Sequence, residues 1–354
     1  MPKTEGVGRR ITVRRAAIVA CGLLLAGIGA VSARPSPETA IAVSGATPTE
    51  AKRQTDMAKR QTDMLRAAPE SLLWIEMRNV TMHLDQRATL RVRWLRGQVR
   101  STEDGAAAVL DDRNSFSIQV TGGSVALTGE DLSRLLNEFV FAYRGSPLKN
   151  LRARLEGEQV SLRGTMHKGV DLPFTIRATM SLTPEGMIRL HPTRVRILGI
   201  NGLSLMKALG LHLDDLLDLK GSRGALARGN DIHLDPTKIL PPPAIDGRVA
   251  SARVEGGEVV IDFERTPQDS VFGGFVRPDS AFANFVYFRG ARLRFGKLLM
   301  DDTDLQIVDA DPSDPFDLNL EEYARQLVAG TSRTLPNLGL RVEMPDHESL
   351  VADR

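Results

Sequence analysis

The sequence predicts an α+β protein in which a long, strongly curved antiparallel β-sheet, built as a meander, wraps around apolar helices. From Leu72 onward, apolar and polar residues alternate with the period of two that is typical of half-buried strands. Two segments break this alternation and carry apolar residues at helical spacing. Short clusters of Gly, Asp and Pro separate the alternating runs, as the tight turns between antiparallel neighbours require.

The first predicted strands lie in the segment Leu72–Val99, which forms one long strand or two. We expect one face to carry Leu90, Val92 and Trp94, and the other to carry Leu95 with the neighbouring arginines. Two more strands are expected, over residues 116–120 and 124–127, on either side of a Gly-Gly pair.

The first predicted helix begins after Thr128. A hydroxyl at this position and Asp131 three residues later fit a capping arrangement. One apolar stripe then recurs at helical spacing and consists of Leu132, Leu135, Leu136 and Phe139.

Four meander strands should follow, with the sequences LRARL, QVSLRGTM, PFTIRATMSL and MIRLHPTRVRIL. The third alternates most regularly, so one of its faces is expected to be buried and the other to be solvated. Its buried face consists of Phe174, Ile176, Ala178, Met180 and Leu182. The solvated face of the four strands is basic and consists of Arg152, Arg154, Arg163, Arg177, Arg189, Arg194 and Arg196.

The second predicted helix covers Ser204–Leu219 and is apolar around most of its circumference, so protein or lipid should cover it. Its apolar residues include Leu205, Met206, Leu209, Leu213 and Leu216. An ordinary core helix explains the same pattern. Three consecutive prolines then predict an extended segment before two strands with the sequences RVASARV and EVVIDF.

The C-terminal part contains a predicted hairpin around Arg289-Gly290, a strand over Asp304–Val308 and a short amphipathic helix over Leu318–Gly330. We divide the chain into four parts: residues 1–33, 34–70, 71–265 and 266–354. The third part is the curved-sheet domain, and the fourth is a β-rich extension with a short helix.

The N-terminus predicts export. Basic residues precede an uncharged run over Ala16–Ala33 that ends in small residues, as in a secretory signal peptide. An uncleaved membrane anchor is the alternative, because the run has 18 residues. Residues 34–70 form a flexible spacer with a duplicated AKRQTDM sequence. The expected location is the periplasm or cell envelope.

Composition restricts the function. The formal net charge is only +2, which argues against nucleic acid as a partner. Aromatic residues make up 5% of the chain, so its apolar bulk is mostly aliphatic and suits acyl chains better than base stacking. The single cysteine, Cys21, lies in the predicted signal, so an exported form would have neither disulfides nor thiolate metal ligands.

The segment from Val125 to Phe263 resembles the LmeA-like phospholipid-binding family of bacterial envelope proteins, which are related to tubular lipid-binding (TULIP) proteins. The resemblance is carried by the order of LTGEDLSRLLN, RGT, PFTIRATMSL, GMIRLHPTRVRI, the leucine-rich helix and RVEGGEVVIDF. It covers somewhat under half of the chain. It implies an apolar groove between sheet and helices that holds the acyl chains of a phospholipid or another lipid.

On this interpretation, the groove is lined by Leu135, Phe139, Phe174, Ile176, Met180, Leu182, Leu205, Met206, Leu209, Leu213 and Leu216. Arg177, Arg194 and Arg196 are the candidate headgroup ligands, because guanidinium groups suit phosphate oxygens. The expected partners are lipid and the membrane surface, and no cofactor is expected. An envelope scaffold that binds another protein and no lipid is the alternative.

Two further chemistries have weaker support. The acidic run with Asp309, Asp311, Asp314 and Asp317 lacks the spacing of an EF-hand loop, and its prolines favour Asx-turns over a calcium site. His167 with Asp171, and His191, are conceivable acid-base groups of a hydrolase. No motif of a hydrolase accompanies them, so we predict a protein without enzymatic activity and without a metal site.

Overall fold

The computed structural model describes residues 72–202, 204 and 212–352. The predicted signal, the spacer and residues 205–211 of the predicted second helix lie outside the described residues. Leu205, Met206 and Leu209 are among them.

The described chain is mostly β-sheet and includes an antiparallel sheet that curls into a half-barrel, which confirms the predicted α+β class and the curved antiparallel sheet. The strands are β1 (Leu73–Asp85), β2 (Ala88–Ser101), β3 (Ala108–Val109), β4 (Phe116–Thr128), β5 (Leu148–Glu156), β6 (Gln159–His167), β7 (Asp171–Leu182), β8 (Ile188–Ile197), β9 (Ile200–Asn201), β10 (Ala225–Arg228), β11 (Asp231–Leu234), β12 (Ala244–Asp246), β13 (Val249–Glu255), β14 (Glu258–Phe263), β15 (Phe285–Gly290), β16 (Leu293–Phe295), β17 (Leu298–Met300), β18 (Thr303–Asp309), β19 (Phe316–Asn319), β20 (Thr331–Thr334) and β21 (Leu340–Met344). The helices are α1 (Gly129–Leu135), a π-helical turn (Leu136–Val140), α2 (Leu213–Leu216), a 3-10 helix (Pro267–Gly274), α3 (Tyr323–Ala329) and α4 (His347–Ala352).

Two large sheets organise the described residues. The long sheet has the strand order β13-β14-β4-β2-β1-β15-β18-β21-β20, with β12 on β4 and β19 on β1. The meander sheet has the order β10-β11-β8-β7-β6-β5, with β9 on β8. No strand of one sheet is hydrogen-bonded to a strand of the other within the described part of the chain. The two sheets are therefore held together by side-chain packing and by their connecting segments.

The first helix lies between the sheets. It contacts β5 of the meander sheet and both β2 and β4 of the long sheet. The predicted cap is confirmed, because the Asp131 backbone N–H donates to the Thr128 hydroxyl at 3.1 Å. The apolar stripe continues through the π-helical turn, where Leu136 and Phe139 are buried. This placement directs the stripe into the core.

The four meander strands are confirmed as β5 to β8, and the predicted strands before and after residue 256 form the hairpin of β13 and β14. Strand β7 buries Phe174, Ile176 and Ala178 and exposes Arg177, as its alternation predicts. The segment Leu72–Val99 forms two strands that pair antiparallel.

The predicted faces of β2 are wrong beyond Val92. A β-bulge between Val92 and Trp94 shifts the pairing with β4, so Leu95 lies in the core with 0% exposure. The strand β4 runs unbroken through Gly122 and Gly123, where two strands were predicted. A Cβ atom at Gly122 would lie 3.1 Å from Arg265 Cγ and 3.2 Å from the Trp94 ring, so a larger residue would require these side chains to shift.

The predicted second helix ends early. Within its described part, Ser204 and Leu213–Leu216 are helical, and Leu217 is already extended with φ −117° and ψ 107°. Leu217 and Leu219 are buried while Asp218 between them is exposed, which is the period of a strand. The high leucine content of this segment therefore did not predict where its helix ends.

Two predictions in the C-terminal part are wrong. Strand β15 does not turn back at Arg289-Gly290 but pairs with β1 and β18, and the hairpin is formed by β16 and β17. The predicted helix at Leu318 begins only at Tyr323, because Phe316 and Leu318 alternate in β19 and pack parallel to β1. Through these pairings, residues after 266 extend the long sheet.

Candidate functional site

An apolar cavity of about 90 Å³ lies between the meander sheet and the long sheet. All 25 residues that line it are apolar. The strand period explains the lining. Ile176, Ala178 and Met180 of β7 face the cavity from one side, and Val259 and Ile261 of β14 face it from the other.

The first helix closes one side of this cavity with Leu132, Leu135 and Leu136. Further walls come from Leu90 of β2 and from Ile239 and Leu240, which precede the triple proline. The cavity therefore collects residues from both sheets, a helix and a loop.

A second apolar cavity of about 20 Å³ adjoins the first. Phe174, Leu213 and Leu216 line it. The two cavities share four residues, which are Leu148, Leu162, Ile176 and Ile232.

The structure brings together six of the predicted groove residues around these cavities. They are Leu135, Phe174, Ile176, Met180, Leu213 and Leu216. Phe139 is buried but lines neither cavity, because the guanidinium groups of Arg87 and Arg223 cover its ring. Leu182 packs against the core without reaching either cavity.

The predicted headgroup residues are not at the cavity. Arg177, Arg194 and Arg196 are exposed on the opposite face of the meander sheet. Successive residues of a strand point to opposite faces, so the sheet itself separates these guanidinium groups from the cavity.

Sequence reasoning missed the part of the lining that the long sheet contributes, including Val125 and Leu127 of β4. Their alternation marks them as core, but nothing local in the sequence tells which sheet they face.

The polar candidates are small surface groupings. His167 pairs with Asp171 and His191 with Asp231, each at 2.7 Å and each with an exposed imidazole. Hydrogen bonds that the sequence did not predict connect Thr89, His83 and Asp317. The Thr89 hydroxyl lies 3.2 Å from His83 Nδ1, and His83 Nε2 lies 2.5 Å from Asp317 Oδ1. Thr89 is buried, so its hydroxyl is poorly accessible to a substrate.

The acidic run forms the predicted Asx-turns, since Asp309 and Asp311 accept hydrogen bonds from the backbone two residues further on. Asp309 and Asp314 approach Asp346, and one carboxylate oxygen of each lies within 4.8 Å of the others. Burial, together with the neighbouring carboxylates, raises the pKa of Asp346 to about 6.

None of the helices in the described residues combines the length and the apolar character needed to cross a bilayer. Comparisons with known proteins found no matching family model, no matching curated protein and no matching solved structure.

Proposed function

We propose that this protein binds a lipid acyl chain between its two sheets and acts without catalysis, as an exported lipid-binding or lipid-transfer protein of the bacterial cell envelope. The observation that carries the proposal is the cavity with an entirely apolar lining. Such a lining offers no hydrogen-bond partner to a polar ligand, and burial of a polar group without one is costly. An acyl chain needs no such partner.

The cavity must widen to hold a chain. An engineered cavity of about 150 Å³ in another protein holds a single benzene molecule, and this one measures about 90 Å³. Widening requires the meander sheet to move away from the long sheet. That motion breaks no ladder hydrogen bond among the described strands, because the two sheets share none.

Contacts with a bound chain offset part of the cost of this motion. A chain that enters replaces contacts between apolar side chains with contacts to methylene groups, which are equally apolar. Each methylene removed from water contributes about 0.8 kcal/mol. About ten methylenes held in the cavity would thus favour the bound lipid over the same lipid free in water by roughly 8 kcal/mol.

The proposed relationship to LmeA-like and TULIP proteins is consistent with this arrangement. The first helix lies against both sheets, and the meander strands occur in the order that the resemblance implies. The proposed partners are a lipid and the membrane that supplies it. The proposed envelope location follows from the signal-like N-terminus.

A scaffold protein without a lipid ligand is the second candidate. The small volume of the cavity favours it, because a well-packed core between two sheets has the same apolar composition. The two candidates differ in whether lipid accompanies the purified protein.

Native mass spectrometry of the exported protein, purified without detergent, tests the proposal. We expect a mass increment that denaturing extraction assigns to one lipid class. An apo mass that persists after incubation with envelope lipids would refute lipid binding and favour the scaffold.

A further inference from the structure

The outer face of the meander sheet concentrates positive charge. Six exposed arginines lie on it in two neighbouring rows, and we refer to them as the arginine face. The first row consists of Arg152, Arg163 and Arg196, and the second of Arg154, Arg177 and Arg194. Strand spacing places all six within a patch of roughly 14 by 7 Å between backbones.

This arrangement works against folding. Arg152 is directly opposite Arg163, and Arg177 is directly opposite Arg194. Like charges at directly opposed positions of a sheet are destabilising. Among the six, Arg177 alone forms a salt bridge within the described residues, to Glu156 at 3.3 Å. The stability of the sheet therefore does not account for these residues, whereas an anionic partner would.

Exposed aliphatic side chains lie at one end of the same sheet. Val170, Leu198 and Ile200 are 63%, 61% and 62% exposed, and we refer to them as the apolar tip. Val170 lies in the turn between β6 and β7, Leu198 lies in the turn between β8 and β9, and Ile200 is the first residue of β9. The Leu198 backbone N–H donates to the carbonyl of Pro173 in β7 at 3.0 Å, which holds the β8–β9 turn against the start of β7. Arg196, only two residues before Leu198, connects the tip to the arginine face.

Leu198 has a backbone conformation that leucine rarely adopts. Its φ is +51°, in the left-handed region that favours Gly and Asn. An exposed leucine at such a position contributes little to the core. A role in contacts outside the molecule explains it better.

We propose that the arginine face and the apolar tip form a docking surface for an anionic phospholipid bilayer. The guanidinium groups meet lipid phosphates, and the apolar tip inserts beneath the headgroups. This chemistry favours a bilayer over single-stranded nucleic acid, because base stacking requires aromatic side chains and the exposed large hydrophobic residues of the described chain are all aliphatic. The surface is separate from the cavity, so it does not depend on what the cavity holds.

Cosedimentation of the full chain with vesicles tests the charge requirement. All variants keep residues 1–71 unchanged, so a difference in vesicle binding between two variants arises from the substituted residues. We expect binding to vesicles of equal parts phosphatidylglycerol and phosphatidylcholine, and weak binding to phosphatidylcholine alone. Because each basic residue near such a surface contributes about fivefold in partitioning, Arg163→Gln with Arg194→Gln should weaken binding about 25-fold.

The matched control for charge is Arg292→Gln with Arg325→Gln, which removes two arginines that pair with Asp301 and Glu322 away from this sheet. It should change binding less than about twofold. The first variant should melt no lower than the wild type, because it removes like-charge repulsion. Equal loss in both double variants would overturn the proposal.

A second pair of variants tests the tip. Leu198→Asn suits the positive φ and should weaken vesicle binding several-fold without lowering the melting temperature. Leu338→Asn is its control, because Leu338 is also exposed, at 87%, and also has a positive φ, of +67°, but lies between β20 and β21. No effect of Leu198→Asn, or binding to duplex DNA or heparin in preference to vesicles, would overturn the proposal. Copurified lipid is measured separately, so failure here leaves the cavity proposal intact.

Discussion

Ile176 and Arg177 are neighbours on strand β7 and point to opposite sides of the meander sheet. Ile176 is 7% exposed and lines both apolar cavities, whereas the Arg177 side chain is 46% exposed and lies opposite Arg194. One strand thus contributes both to an apolar interior and to a cationic surface. The two functions that we propose can therefore be changed independently by single substitutions.

Ile176→Ala should lower the free energy of unfolding by about 2 to 5 kcal/mol, because it removes buried methyl groups and enlarges two cavities at once. Urea denaturation monitored by circular dichroism measures this cost. The control is Ile200→Ala, whose side chain is mostly exposed and whose loss should change stability by less than about 0.5 kcal/mol. A cost below about 1 kcal/mol for Ile176→Ala would mean that the two sheets do not pack as described.

Ala178→Leu should fill the larger cavity and abolish lipid binding while it leaves the fold intact. Ala178 lines that cavity, and cavity-filling substitutions commonly leave stability unchanged or raise it by up to about 2 kcal/mol. Lipid per protein, measured after denaturing extraction, is the readout. Thr179→Val changes the next residue, which is exposed on the other face, and should retain the lipid. Full lipid content in Ala178→Leu would place the ligand elsewhere.

Glu76→Gln should destabilise the protein by about 2 kcal/mol, because it removes the charged acceptor of the hydrogen bonds from Arg96 and Arg277. The Glu76 side chain is 1% exposed and accepts hydrogen bonds from Arg96 at 3.2 Å and Arg277 at 2.8 Å. Equilibrium urea unfolding measures the change. Glu264→Gln removes an exposed partner of Arg248 and should cost less than about 0.5 kcal/mol. Equal effects of the two substitutions would contradict this account.

Asp346→Asn should stabilise the protein at neutral pH and have little effect at pH 4. The raised pKa of Asp346, about 6, means that the folded state binds its proton more tightly than the unfolded state does. Proton binding by Asp346 therefore contributes to the free energy of unfolding. This contribution is fully present below the pKa of Asp346 in the unfolded state and is lost as the pH rises through about 6. Asparagine resembles the protonated acid and keeps an oxygen that can accept the Asp317 N–H, 2.6 Å away in the wild type.

Melting temperatures of the wild type and of Asp346→Asn between pH 4 and pH 8 measure this effect. We expect the difference in melting temperature to increase from pH 4 to pH 8. Each kcal/mol by which the substitution stabilises the folded state should raise it by about 2 to 4 °C. A difference that stays constant with pH would show that Asp346 does not titrate in this range.

Features that depend on local sequence were predictable. The alternation in β7 separated Ile176 from Arg177, and Thr128 with Asp131 marked the start of the first helix, because both signals span only a few residues. Six of the predicted groove residues line the two cavities for the same reason.

Features that depend on distant contacts were not predictable from one sequence. The pairing of β15 with β1 joins residues about two hundred positions apart, and no turn motif announces it. The bulge that buries Leu95 arises from its pairing with β4, and the opposite wall of the cavity comes from β14. The period of two in β7 placed Arg177 and Ile176 on opposite faces, but it did not tell that the cavity lies on the Ile176 side alone.

Photocrosslinking with a phospholipid that carries a diazirine on its acyl chain tests the central claim most directly. After irradiation of the detergent-free complex, peptide mass spectrometry locates the attached lipid. The account predicts adducts on cavity residues of both sheets, such as Ile176, Met180 and Ile261. Adducts confined to Val170, Leu198 and Ile200 would contradict it, because the chain would then contact only the outer surface.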